Sequence, residues 1–356
     1  MSQTHLPIGI KLLLSLMLYL PTVSSKAQAP NLVIITIDGL RWQELYMGLD
    51  TVIVNNKLYN QGDSIGLYSL YNKQPIMPFV SKVMGKQGQL WGNRNAYTFS
   101  YNNNPYWFSY PGYSELLCGF VDTAINTNKY TNNPHHNLLD YLQNQSAYHN
   151  KVVAFGAWFA FDRILHKPTA TYPIYSAFTT YVNTASPNVT LLNKLNNETF
   201  KPFGNEECLD VFTHNMALDY IKTNQPKVMY IAYGETDEWA HEAHYKYYLN
   251  AARQTNLFIK ELWTYMQRNN FYKNNTVLLV KCDHGRGEGN EWISHNSKTE
   301  GSNQTWFALM GKGVQAKGVV ANGGIVYQQQ LAQTVAQLLG LVYTDKHTVS
   351  PAITIK

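Results

Sequence analysis

Leu278-Leu279-Val280-Lys281-Cys282-Asp283-His284-Gly285 is a short, unalternating apolar run that ends in a carboxylate, an imidazole and a glycine. Such a run predicts a strand buried on both faces, as in a parallel sheet covered by helices. The same reading places strands at about 31-37, 151-156, 227-233, 276-282 and 305-310. Helical patterns fall between them, at about 78-87, 111-119, 136-143, 206-223, 244-268 and 326-340. The clearest is 244-268, where Tyr248, Ala252, Thr255, Phe258, Leu262 and Met266 make one apolar face. Strand and helix alternate, so the fold class is α/β.

A chain of 356 residues can bury a large core. No internal repeat or low-complexity linker divides it, so a single domain over 30-356 is expected. Residues 157-205, rich in aromatics, Thr and Asn, show no sheet strand and are expected to form a lid over the site. Residues 1-29 stand apart. His5 and Lys11 precede the apolar run Leu12 to Leu20, and Ala27-Gln28-Ala29 supplies a small-x-small cleavage site, the pattern of a signal peptide. An apolar run of about nine residues is short of the roughly 20 that span a bilayer, although an uncleaved anchor is the alternative. The expectation is a secreted or periplasmic protein with no transmembrane segment after cleavage.

Cleavage removes Lys11 and Lys26 and no acid, so the formal charge falls from +5 to +3. With no Lys/Arg block, that balance argues against nucleic acid as a partner. Charged residues are 14% of the chain, below the usual quarter, while Tyr reaches 26, so the expected surface is polar but uncharged. Cys118, Cys208 and Cys282 allow at most one disulfide, so stapling does not hold the fold.

In doubly wound sheets, ligands bind beyond the carboxyl ends of the strands. Asp38 in Ile37-Asp38-Gly39 and the Asp283-His284 pair sit there, each followed by a glycine that lets the backbone turn. One such Asp serves equally well as a helix cap; two, one paired with His, favour ligands. Asp237-x-x-x-His241 follows the strand Val228 to Tyr233, and i,i+4 spacing puts both side chains on one helical face. His244 is a substitute ligand one turn on, and His295, on spacing alone, reads more readily as a structural histidine than as a ligand. Ser109 precedes Tyr110-Pro111-Gly112, a helix start. It either caps that helix or presents a hydroxyl to an anion beside free backbone N–H groups. Together these supply three carboxylates, three imidazoles and a hydroxyl, enough to hold two divalent metals and a nucleophile. They point to a metal-dependent hydrolase of small-molecule phosphate esters.

This set, in this order and continuing from Ser109 to Gly119, resembles the alkaline phosphatase superfamily, and is most similar to its type I phosphodiesterase/nucleotide pyrophosphatase branch. The resemblance implies an alkaline phosphatase-like three-layer fold, a mostly parallel central sheet between helical layers, and two zinc ions. By position, Asp237, His241 and His295 would hold one zinc, and Asp38, Asp283 and His284 the other. Ser109 matches the metal-activated nucleophile, because the family's hydroxyl stands two residues before a Pro and ten before a Gly; the rival Ser114 does not. Many relatives have Thr there, so Ser is a mild departure. Relatives also carry a downstream Asn that binds a phosphoryl oxygen. Asn128 is the best match, with Asn126 and Asn133 open because the loop is about two residues short.

The implied mechanism is attack by Ser109, a phosphoseryl intermediate, then hydrolysis. Sulfatases of the superfamily convert a Cys or Ser within a motif ending in Arg; here that place reads Ser109-Tyr110-Pro111-Gly112-Tyr113, so a sulfatase is not expected. Arg163 and Arg286 are candidates for holding a doubly charged monoester, or are plain surface charges; Tyr106, Trp107, Phe108 and Trp158 could stack on a base or sugar, or simply pack. Monoester and diester both stay open. The alternative from another class is a secreted glycan- or ligand-binding protein with a vestigial metal site.

Overall fold

The computed structural model describes Met1 and residues 28-60, 64-71 and 74-355. Apart from Met1 and residues 28 and 29, the expected leader lies outside the described residues. Among the described residues, no helix is long and apolar enough to cross a membrane.

The five expected strands are present as β1 (Asn31–Ile37), β4 (Val152–Gly156), β6 (Val228–Tyr233), β7 (Thr276–Cys282) and β9 (Phe307–Gly311). They join β2 (Gly88–Trp91), β5 (Ile174–Ser176) and β10 (Gly318–Val319) in an eight-stranded sheet of order β10-β2-β9-β7-β1-β6-β4-β5. Every residue of β1, β4, β6 and β7 is buried, as unalternating apolar runs require. Two large apolar clusters cover the two faces: one collects Ile35, Met229 and Val280, the other Ile34, Tyr230 and Leu279. Alternate residues of each strand thus serve opposite helical layers.

The sheet is mostly parallel, with β1 between β6 and β7 and β4 between β6 and β5. β9 departs from that expectation, running antiparallel to both β7 and β2. From β7 to β9 the chain passes a short 3-10 turn, Gly289–Ile293, and the two-residue strand Gln304–Thr305 of another sheet; with no crossover helix between them, β9 returns antiparallel.

Three further expectations are corrected. Residues 157-205 do contain a sheet strand, β5, which extends the edge beside β4. That segment is tied to the helix Asp210–Asn224, with Tyr181 Oη and Ser186 Oγ both donating to Asp219. The region read as one helix over 326-340 begins as β11 (Gly324–Tyr327), and its helix runs Gln330–Leu338. β11 joins β3 (Thr98–Tyr101) and β8 (Gln304–Thr305) in a small second sheet. The region 78-87 opens on a π-helical turn, Phe79–Met84. Other helices follow expectation, at Ser109–Cys118, Leu138–Gln143 and Tyr245–Arg268. All three cysteines are free and buried.

Candidate metal centre

The sheet register brings the site together. Ile37, the last residue of β1, aligns with Tyr233 of β6 and with Cys282 of β7, so Asp38, Gly234 and Asp283 leave the sheet side by side. Gly39 then turns with φ +58°, and its N–H donates to Asp283 Oδ1 at 3.0 Å. A Cβ there would come within 2.3 Å of Asp237 Oδ1, so only glycine fits. From Gly234 the short helix Glu235–His241 carries Asp237 and His241 one turn apart.

The expected ligands converge in two groups, Asp237, His241 and His295, and Asp38, Asp283 and His284; within each, one ligand atom per residue lies within 4.8 Å of the others. His241 Nε2 is 3.0 Å from Asp237 Oδ2, and His295 Nε2 is 3.5 Å from Asp237 Oδ1. The two Nε2 atoms face each other at 2.9 Å. In the second group His284 Nε2 lies 3.1 Å from Asp38 Oδ1 and 3.4 Å from Asp283 Oδ2. The His284 and His295 rings stack across the groups, centroids 3.9 Å apart. His244 belongs to neither group and packs beside Trp239 and Tyr247.

Ser109 does not cap its helix: Phe108 holds that position, and Ser109 is the first helical residue. Its Oγ lies 3.2 Å from His284 Nε2 and 3.4 Å from Asp38 Oδ1. Ser114 is engaged elsewhere, accepting from Asn133 Nδ2 at 3.0 Å. That contact also takes Asn133 away from Ser109, and Asn126 is exposed. Asn128 alone of the three touches the start of the helix, accepting from the Tyr110 N–H at 2.9 Å, and Arg163 Nη2 donates to the Asn128 carbonyl at 3.1 Å. Farther along, Glu115 is buried and ties down the preceding loop, accepting from the N–H groups of Asn103 and Asn104.

Two contributors were not legible as such. Tyr113, four residues after Ser109 on the same face, donates its hydroxyl to Asp38 Oδ2 at 3.0 Å; i,i+4 spacing was the signal that could have found it. Arg286 is no surface charge. It is buried, donates to the carbonyls of Trp292 and Ile293 at 2.7 Å each, and pairs with Asp237. It therefore braces the site from within.

Burial, then Asp38, pushes the Asp283 carboxyl well above its usual range. Burial also acts on Asp237, but Arg286, His241 and His295 together hold it well below. Although burial works against it, His284 rises to about 9 beside Asp283 and Asp38, whereas burial and His284 press His295 down to about 3. Asp283 Oδ2 and His295 Nδ1 are buried without a hydrogen-bond partner. A buried carboxylate oxygen without a hydrogen-bond partner, set among mixed carboxylate and imidazole donors, suits a divalent cation. The residues fit such ions.

No family model and no curated protein matches the chain. Solved structures do. A member of the alkaline phosphatase superfamily from Vibrio parahaemolyticus matches with a TM-score of 0.54 at 14% identity, over 89% of this chain and 67% of that one. A 2-O GAG sulfatase matches with a TM-score of 0.60 at 14% identity, over 89% of this chain and 72% of its own. The lipoteichoic acid synthase LtaP of Listeria monocytogenes matches with a TM-score of 0.60 at 12% identity, over 92% and 76%. The fold is alkaline phosphatase-like, with its central sheet between helical layers.

Proposed function

We propose that this chain, built on the alkaline phosphatase-like fold, is a secreted or periplasmic hydrolase of small-molecule phosphate mono- or diesters. It works through a phosphoseryl intermediate on Ser109 beside two zinc ions. The observation that carries the reading is Ser109 Oγ, held 3.2 Å from His284 Nε2 and 3.4 Å from Asp38 Oδ1 among six converging donors. Asp237, His241 and His295 would hold one ion, and Asp38, Asp283, His284 and Ser109 the other. When bound, such ions lower the pKa of a nearby hydroxyl and offset charge on the leaving oxygen.

The chain's own groups do the rest. Ser109 Oγ attacks phosphorus, its proton passing by way of Asp38 Oδ1 to solvent. The Oγ–P bond forms, the P–O bond to the alcohol breaks, and the leaving oxygen takes a proton from solvent. His284 Nδ1 donates to the Gly285 carbonyl at 2.8 Å, which fixes Nε2 as the ring nitrogen that faces Ser109 and would hold a metal. The Asn128 Nδ2 amide and the Ser109 N–H would meet the phosphoryl oxygens. Water then attacks the phosphoserine, breaking the Oγ–P bond and restoring the hydroxyl.

The test joins metal analysis to turnover of 4-nitrophenyl phosphate, bis(4-nitrophenyl) phosphate and 4-nitrophenyl sulfate. Two zinc ions per chain, hydrolysis of a phosphate ester and a loss of at least about 10³-fold in Ser109→Ala are expected. Turnover of the sulfate alone would move the reading to a sulfatase. No turnover with fewer than two metals would favour a binding protein.

A further inference from the structure

A cavity of about 440 Å³ is lined among others by Arg94, Tyr101, Trp107, Lys298, Glu300 and Gln304. Two of its walls lie close along the chain to residues of the candidate site. Trp107 is two residues before Ser109, so their Cα atoms are at most about 7.6 Å apart. On the other side, the loop 301-304 lies on Gly285, where a Cβ would meet the carbonyl oxygens of Gly301 and Gln304 at 2.4 Å.

The lining is rich in fixed donors. The Arg94 guanidinium sits 4.9 Å from the Phe99 ring centroid and 4.8 Å from that of Tyr101, and bonds the Tyr101 hydroxyl. Its Nη1 is buried with no hydrogen-bond partner. Gln304 Oε1 accepts from Trp42 Nε1 at 2.8 Å, so its NH₂ group remains to donate. Lys298 adds a second cation at the exposed rim, against the one carboxylate of Glu300. Trp107 is half-buried and has φ +59°, a backbone region costly for a bulky residue. The conformation is held by Asn104, whose Oδ1 accepts from the Trp107 N–H at 3.1 Å and whose Nδ2 donates to Glu115 of the Ser109 helix at 2.8 Å.

We propose that this cavity is the subsite for the alcohol half of the ester, and that it selects a sugar ring bearing its own anionic group, a carboxylate or a sulfate. The indole packs against the ring, while Arg94, Lys298 and the Gln304 amide receive the acceptor-rich, negatively charged substituent. The assignment rests on the hydrolase reading only for what happens next to the ring, not for its binding.

Calorimetric titration of the purified protein with glucuronic acid, glucose 6-sulfate and glucose tests it without any chemistry. At least one anionic sugar should bind about tenfold or more tightly than glucose, and the stronger of the two identifies the group. Arg94→Gln should erase that advantage, and Lys298→Gln, at the exposed rim, should reduce it about threefold even if the first variant folds poorly. Equal binding of all three sugars by the native chain, or an advantage that survives both substitutions, overturns the proposal.

The kinetic counterpart compares glucuronic acid 1-phosphate with glucose 1-phosphate, which differ only in the carboxylate. Their kcat/KM ratio should fall toward one in Arg94→Gln. Selective sugar binding with no ester hydrolysed would sink the hydrolase reading and leave the subsite standing. Hydrolysis without preference, together with unselective binding, would do the reverse.

Discussion

Tyr113 donates its hydroxyl to Asp38 Oδ2 at 3.0 Å, so the helix that presents Ser109 also orients a carboxylate of the candidate metal centre. Hydrogen-bond partners of metal ligands typically contribute tenfold to a hundredfold in affinity. Tyr113→Phe is therefore expected to raise the zinc dissociation constant about tenfold while leaving the circular dichroism spectrum unchanged. Titration with a competing chelator measures it.

Asn128 and Asn133 make a matched pair for the phosphoryl contact. Asn128→Ala should lower kcat about 10²-fold, as loss of an oxyanion donor does. Asn133→Ala removes the donor to the buried Ser114 hydroxyl and the acceptor of the His135 N–H, and should cost about 1–3 kcal/mol of stability instead, with kcat nearly native. Steady-state kinetics and urea unfolding of both variants separate the roles.

Gly39→Ala places a methyl against Asp237 Oδ1 in a left-handed backbone. The backbone alone costs about 1–2 kcal/mol. The displaced carboxylate should further reduce the zinc content of the purified protein by at least one ion per chain, read by elemental analysis. Full zinc occupancy in this variant would show that the close approach is not required.

His214 predicts a pH dependence of stability that is independent of metal. It is buried against the Phe258 ring at 4.0 Å, and burial lowers its pKa to about 4 although Glu261 lies within 3.1 Å. The unfolded chain, with a histidine pKa near about 6.5, then binds the proton more readily than the native one. Stability is whole above that value and is lost as pH falls toward about 4. Between about pH 7 and pH 4.5 the native chain should lose about 1–3 kcal/mol more than His214→Gln, read from urea midpoints.

Most of the centre was legible because its residues stand at the ends of buried apolar runs. Asp38, Asp237 and Asp283 follow β1, β6 and β7, where strand chemistry itself announces the position. Ser109 was legible through its spacing to Pro111 and Gly119, but its place inside the helix rather than at the cap was not. Arg286 read as a possible surface charge because nothing in its neighbours along the chain reveals that the Trp292 and Ile293 carbonyls and Asp237 close around it. β8 and β10 are two residues long and β5 three, too short for periodicity to register. Their existence depends on partners distant in sequence.

The alignment of Ile37 with both Tyr233 and Cys282 gives this protein an internal check on its own assembly. A slip of one residue between β1 and either neighbour would still bury apolar side chains on both faces, since these strands are apolar throughout. It would, however, turn Asp38 toward the opposite helical layer. On the proposed function, such a misaligned species would be compact and helical yet unable to take up divalent cations, so cation uptake, rather than any spectroscopic sign of compaction, would report correct maturation.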